Sequence, residues 1–118
     1  MSVPQNIIRA YLTALEANDL EGILSCFSPH ASIISPTYGV MEAAPFYKKL
    51  CADTLKTEIS EIELHASSAD SLTWFAQFDY RWSLRDGTTK LLTILDRFRI
   101  EGDKIVSLRI FSGSQGKF

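Results

Sequence analysis

Apolar residues recur at helical spacing in the first part of the chain and at every second position in its last half. Ile8, Tyr11, Leu12 and Leu15 fall at i, i+3, i+4 and i+7, which draws one apolar stripe along a helix and leaves Arg9, Thr13 and Glu16 off it. Ser2-Val3-Pro4-Gln5 has the form of a capping box with proline inside the first turn, so the helix is expected to start there. Asn18 and Glu21 repeat the capping signal for a short second helix, with Leu20, Ile23, Leu24 and Phe27 facing inward until Ser28-Pro29 ends it. A brief strand over Ala31 to Ser35, a turn at Pro36-Thr37-Tyr38-Gly39 and a third helix from near Pro45 to Leu55 follow.

From Lys56 onward the period is two. Ile62, Leu64 and Ala66 alternate with Glu61, Glu63 and His65, and Ser67 to Ser71 make a polar turn. Trp74, Ala76, Phe78, Tyr80 and Trp82 then share one strand face, with Gln77, Asp79, Arg81 and Ser83 on the other. Asp86-Gly87 signals a hairpin, beyond which Leu92, Ile94, Asp96, Phe98 and Ile100 share a face. A Gly102-Asp103 turn leads to a last strand, Ile105 to Ser112. Strands of this length twist and bend, so the pattern predicts an α+β domain in which a strongly curved antiparallel sheet wraps around the helices.

The chain has 118 residues, room for a single domain over residues 1–118 with one core. Lys and Arg are scattered and the formal net charge is −2, which argues against nucleic acid as a partner. Cys26 and Cys51 sit among apolar residues without metal or redox spacing and read as reduced. The opening residues lack the basic and apolar regions of a secretory signal and no apolar run could span a bilayer, so no membrane contact and a cytoplasmic location are expected. No cofactor or metal is expected: His30 and His65 lack partners at ligand spacing, and neither a phosphate-cradling glycine loop nor a nucleophile elbow is present.

Asp96 breaks its row, because strand alternation places its carboxyl group among Leu, Ile and Phe on the inward face. Such a group pairs with a cation or takes up a proton and becomes a neutral donor, and Arg97 and Arg99 lie on the wrong face to reach it. Two readings follow: a structural aspartate bonded to backbone or buried water, or a functional carboxyl group. Tyr11, a core aromatic taken alone, changes the balance. A helix laid over the concave face directs it at the row holding Asp96, so that a phenol and a protonated carboxyl converge on one ligand oxygen.

The segments Tyr11 to Phe27, Leu95-Asp96-Arg97-Phe98-Arg99-Ile100 and Ile105 to Arg109 resemble the bacterial Δ5-3-ketosteroid isomerases, within the nuclear transport factor 2-like (NTF2-like) superfamily that also holds the SnoaL-like polyketide cyclases. The resemblance covers nearly the whole chain and implies a cone-shaped sheet packed on three N-terminal helices. It carries the roles of the isomerases' oxyanion hole onto Tyr11 and Asp96, including the neutral aspartate donor. It also marks a departure. The isomerases move a proton with an aspartate that corresponds here to Ser35, followed by Pro36, and serine cannot hold a proton near neutral pH. His30 and Glu42 are candidate replacements, and Asp79 has the wrong strand parity. Ser112 stands about where the isomerases carry a bulky aromatic.

Two functions are therefore expected in competition. In the first the chain binds a small, largely apolar molecule through a carbonyl, phenol or enolate oxygen held by Tyr11 and Asp96. Its pocket is formed by Ser35, Tyr38, Phe78, Tyr80, Trp82, Phe98, Leu108 and Ser112, and any chemistry is of an isomerase, cyclase or lyase type. In the second it is a non-catalytic module. The resemblance implies a homodimer through the outer sheet face, where Gln77, Arg81, Thr93, Arg97 and Arg99 lie. An open cavity reaching Tyr11 and Asp96 distinguishes the first reading from the second.

Overall fold

Ser2 opens the first helix as the sequence predicts. In the computed structural model, which describes residues 2–115, the Gln5 N–H donates to Ser2 Oγ and the Ser2 N–H donates to the Gln5 side chain, both at 3.3 Å. Helix α1 (Val3–Glu16) buries Ile8, Tyr11, Leu12 and Leu15. Asp19, rather than Asn18, caps α2 (Leu20–Leu24), its carboxylate accepting from the Gly22 N–H at 3.1 Å. Asn18 takes a left-handed backbone and donates to the Cys51 carbonyl, tying this turn to the third helix.

The second helix is shorter than its apolar spacing suggested. Phe27 already belongs to strand β1 (Phe27–Ser35), and Ser28-Pro29 lies within that strand instead of ending a helix. Proline is tolerated there because the pairing of β1 with its neighbour breaks between Phe27 and Ser32, where His30 takes a left-handed φ of 62°. Strand β2 (Gly39–Glu42) makes a small hairpin with β1 that the sequence pattern did not reveal. Helix α3 (Ala43–Asp53) runs directly into β3 (Thr54–Ala66), and β4 (Thr73–Leu84), β5 (Thr89–Glu101) and β6 (Lys104–Ser114) complete a meander.

The sheet order is β2-β1-β6-β5-β4-β3. All neighbours are antiparallel except β1 and β6, which run parallel, so the expectation of a wholly antiparallel sheet is corrected at that one pair. Further register breaks in β3 and β6 bend the sheet. In β3 the inward positions are Thr57 and Ile59 before Glu61, at a left-handed φ of 56°, and Leu64 and Ala66 after it. Ile62 thus leaves the row predicted for it and is exposed. In β6 the break between Arg99 and Ile100 of its partner strand lets Ile105 and Leu108 face inward together. Each extra residue increases local twist, and the long strands curl around α1 and α3.

Candidate active site

The concave side of the sheet holds an apolar cavity with an open mouth. Its volume is about 70 Å³, within a funnel whose whole free space, mouth included, is about 530 Å³. α1 contributes Tyr11 and Leu15, α3 contributes Phe46, Tyr47 and Leu50, and the turn after β1 contributes Pro36, Thr37 and Tyr38. The floor comes from Phe78, Tyr80 and Trp82 of β4, Leu92, Ile94 and Asp96 of β5, and Ile110 and Ser112 of β6.

Tyr11 and Asp96 both border this cavity, as their positions in the sequence predicted. Asp96 is 1% exposed, and its Oδ1 is buried with no hydrogen-bond partner among the described residues. Burial pushes its carboxyl group well above the usual carboxylate range and so favours its protonated, neutral form. Tyr11 has a partner that sequence reasoning missed: its hydroxyl lies 2.7 Å from that of Tyr47. Burial raises both phenols far above their ordinary pKa. The visible signal for Tyr47 was Phe46-Tyr47 with Leu50 inside a predicted helix, an apolar run whose inward face sequence alone did not orient.

Phe98 and Leu108, expected in the wall, lie beneath it instead. Phe98 is fully buried and meets the Tyr11 ring edge-on at 5.6 Å, and Leu108 packs in the same layer, outside the cavity lining. Phe98 supports the site by packing edge-on against the ring of Tyr11. Phe78, Tyr80 and Trp82 do line it; burial lifts the Tyr80 phenol to about 12. The Trp82 Nε1–H donates to Thr54 Oγ1 at 2.8 Å, and that hydroxyl donates to the Leu50 carbonyl at 2.6 Å, so β4 is pinned to the end of α3. Tyr38 shields one side of the mouth, where its hydroxyl donates to Asp53 at 2.7 Å, and burial followed by this carboxylate raises its pKa. Ser112 stands exposed at the rim.

Ser35 is 8% exposed at the cavity edge, and its Oγ accepts from the backbone N–H groups of Thr37 at 3.1 Å and Tyr38 at 2.9 Å. The candidate replacement bases do not gather around it. His30 and Glu42 pair with each other at 3.2 Å on the surface with side chains 81% and 57% exposed, and Asp79 on the outer face accepts from Thr93. Among the described lining residues Asp96 is the only carboxyl group and none is histidine.

Residues 8–108 match the family model of the SnoaL-like domain. The chain belongs to that family. The SnoaL-like assignment agrees with its structural neighbours. An NTF2-like protein from Anabaena variabilis ATCC 29413 superposes with a TM-score of 0.79 at 20% identity, covering 98% of this chain and 90% of the other. A protein of ketosteroid isomerase-like fold from Catenulispora acidiphila DSM 44928, in complex with trimethylamine, gives 0.75 at 12% identity over 89% and 83%. TerC co-crystallised with polyporic acid gives 0.75 at 16% identity over 93% and 91%. At such identities what is shared is the NTF2-like fold. No helix of the SnoaL-like chain is long and apolar enough to cross a membrane among the described residues.

Proposed function

We propose that this SnoaL-like protein binds a small, mostly apolar molecule bearing a carbonyl, phenol or enolate oxygen, and holds that oxygen between Tyr11 and Asp96. The observation that carries the reading is the orphaned Oδ1 of Asp96 at an apolar cavity. A buried polar atom without a partner costs roughly 1–3 kcal/mol, a cost a ligand relieves by bonding to it. The two tyrosine hydroxyls share one hydrogen bond, which leaves one O–H of the pair free, and the protonated Asp96 supplies another. Two neutral donors in an apolar pocket favour an oxygen that gains negative charge. TerC, a neighbour of the same fold, was co-crystallised with polyporic acid, which is in keeping with a small organic ligand here.

Any reaction at this site is an enolisation, isomerisation, cyclisation or lyase-type step assisted by oxyanion stabilisation. Its proton acceptor is the substrate itself or a water, since the described lining residues offer no second carboxylate and no imidazole. The cavity volume suits a single ring better than a steroid nucleus. Fluorescence titration with 2-naphthol tests the reading: saturable binding that disappears in a folded Asp96→Leu variant supports it, and undiminished binding in that variant contradicts it.

One feature of the outer sheet face favours pairing of two copies in addition. Leu91 and Phe111 are 48% and 42% exposed there, Phe111 paired with Leu95 and Leu91 further along the same strand as Leu95. The charged groups around them are already paired within the chain, Arg81 and Lys56 with Glu58 and Arg99 with Glu101. A two-fold axis in the plane of contact sets the apolar strip against itself. Sedimentation equilibrium should give a dimer, which Phe111→Glu converts to monomer; a monomeric wild type contradicts the pairing.

A further inference from the structure

Ser35 stands in line with Asp96. On β1 the inward positions are Ala31, Ile33 and Ser35. Ile33 pairs with Leu108 and Ile34 with Arg109 on the parallel strand β6, so one step further Ser35 lies beside Ile110, and Ile110 pairs with Asp96 on β5. Ser35, Ile110 and Asp96 thus form one row across three strands, all on the concave side and all lining the cavity. Two inter-strand spacings put the backbones of Ser35 and Asp96 roughly 10 Å apart.

The hydroxyl of Ser35 has one proton and two lone pairs. The N–H groups of Thr37 and Tyr38 occupy the acceptor side. What remains is the O–H, and no protein acceptor takes it among the described residues. The turn therefore does more than close the β1–β2 hairpin: by saturating the oxygen as an acceptor, it leaves Ser35 as a donor at the cavity edge.

We propose that Ser35 is a second oxygen-holding site, so that the ligand is a small flat ring with acceptor oxygens at opposite ends, as in a quinone or another 1,4-dioxygenated ring. One oxygen is held by Tyr11 and Asp96 and the other by Ser35, with Ile110 under the ring between them. A single ring carrying an oxygen at each end, lengthened by one hydrogen bond on either side, matches both the row spacing and the cavity volume. This inference rests on the ligand-binding reading above, and it assigns a role to the position from which the usual carboxylate base is missing.

Two phenols of similar size separate the possibilities: 4-nitrophenol, whose nitro oxygens accept a hydrogen bond opposite the phenol oxygen, and 4-trifluoromethylphenol, which lacks such an acceptor. Ser35→Ala should weaken 4-nitrophenol about three- to tenfold and 4-trifluoromethylphenol by less than about twofold, and Ser35→Thr should restore the difference. Equal weakening of both ligands, or of neither, overturns the donor role while the Tyr11 and Asp96 site stands. Failure of the wild-type protein to bind either phenol overturns both readings. A measurement on the wild type needs no variant to fold: the infrared nitro stretch of bound 4-nitrophenol should be displaced from its position in an apolar solvent, and an undisplaced stretch overturns the proposal.

Discussion

The hydroxyls of Tyr11 and Tyr47 lie 2.7 Å apart between α1 and α3, both buried at the wall of the cavity. One donates to the other, so each polarises its neighbour and the pair offers a single strengthened O–H to a ligand. Tyr11→Phe and Tyr47→Phe should each weaken phenol binding by roughly ten- to a hundredfold, the range for a hydrogen bond to a charged group. Because the two act as a unit, the double variant should be little worse than the worse single one. Isothermal titration calorimetry of the four proteins measures this, and strictly additive losses would contradict a shared hydrogen bond.

Asp96 gives the fold a pH dependence of known sign. Its carboxyl group holds its proton in the folded protein well above the ordinary range, whereas in the unfolded chain it ionises near pH 3.9. Above that pH the unfolded state binds fewer protons than the folded one, so stability falls as pH rises until the folded group itself ionises. The slope within the window approaches about 1.4 kcal/mol per pH unit. Asp96→Leu removes it. Thermal melts from pH 4 to 8 should show the variant gaining on the wild type as pH rises, and parallel melting curves would contradict a buried protonated aspartate.

Much of this was legible in the sequence, and the exceptions have physical causes. The capping box at Ser2 and the stripe from Ile8 to Leu15 specified α1, and strict alternation specified β4 and β5 with Asp96 inward. The second helix was overextended because Phe27 continues the spacing of Leu20, Ile23 and Leu24, while the competing preference of β1 for a partner on β6 is non-local. The bulges in β3 and β6 invert strand parity, which no period of two can signal. Within the site, Asp96 announced itself as a carboxyl group in an apolar row. Tyr47 looked like any core aromatic, and strand alternation does not show that Phe98 meets the ring of Tyr11 instead of the cavity.

Thr54 links the Trp82 indole to the last turn of α3 while 1% exposed. Thr54→Val keeps the shape but strands the Trp82 N–H and the Leu50 carbonyl in the interior. Urea unfolding should show a loss of about 1–3 kcal/mol with the slope unchanged. A loss below about 0.5 kcal/mol would mean the two groups find other partners.

Ser35→Asp restores a carboxylate at the position from which the resembling isomerases draw their base. The turn N–H groups of Thr37 and Tyr38 that now bind Ser35 Oγ would favour its ionised form. With a small β,γ-unsaturated cyclic ketone, absorbance of the conjugated product should rise about a hundred- to ten-thousand-fold faster than with the wild type. A folded variant with no gain would show that the cavity does not present the α-carbon to position 35.

The most direct measurement of the central claim is the ionisation of a bound phenol. At a pH about one unit below the phenol's own pKa, where most of it is neutral in water, binding to the wild type should produce the absorbance of the phenolate. Asp96→Leu should erase that spectrum, because the oxygen then loses the carboxyl donor on one side. A phenol that binds wholly in its neutral form, or one that ionises equally in the Asp96→Leu protein, would contradict an oxyanion site built from Tyr11 and Asp96.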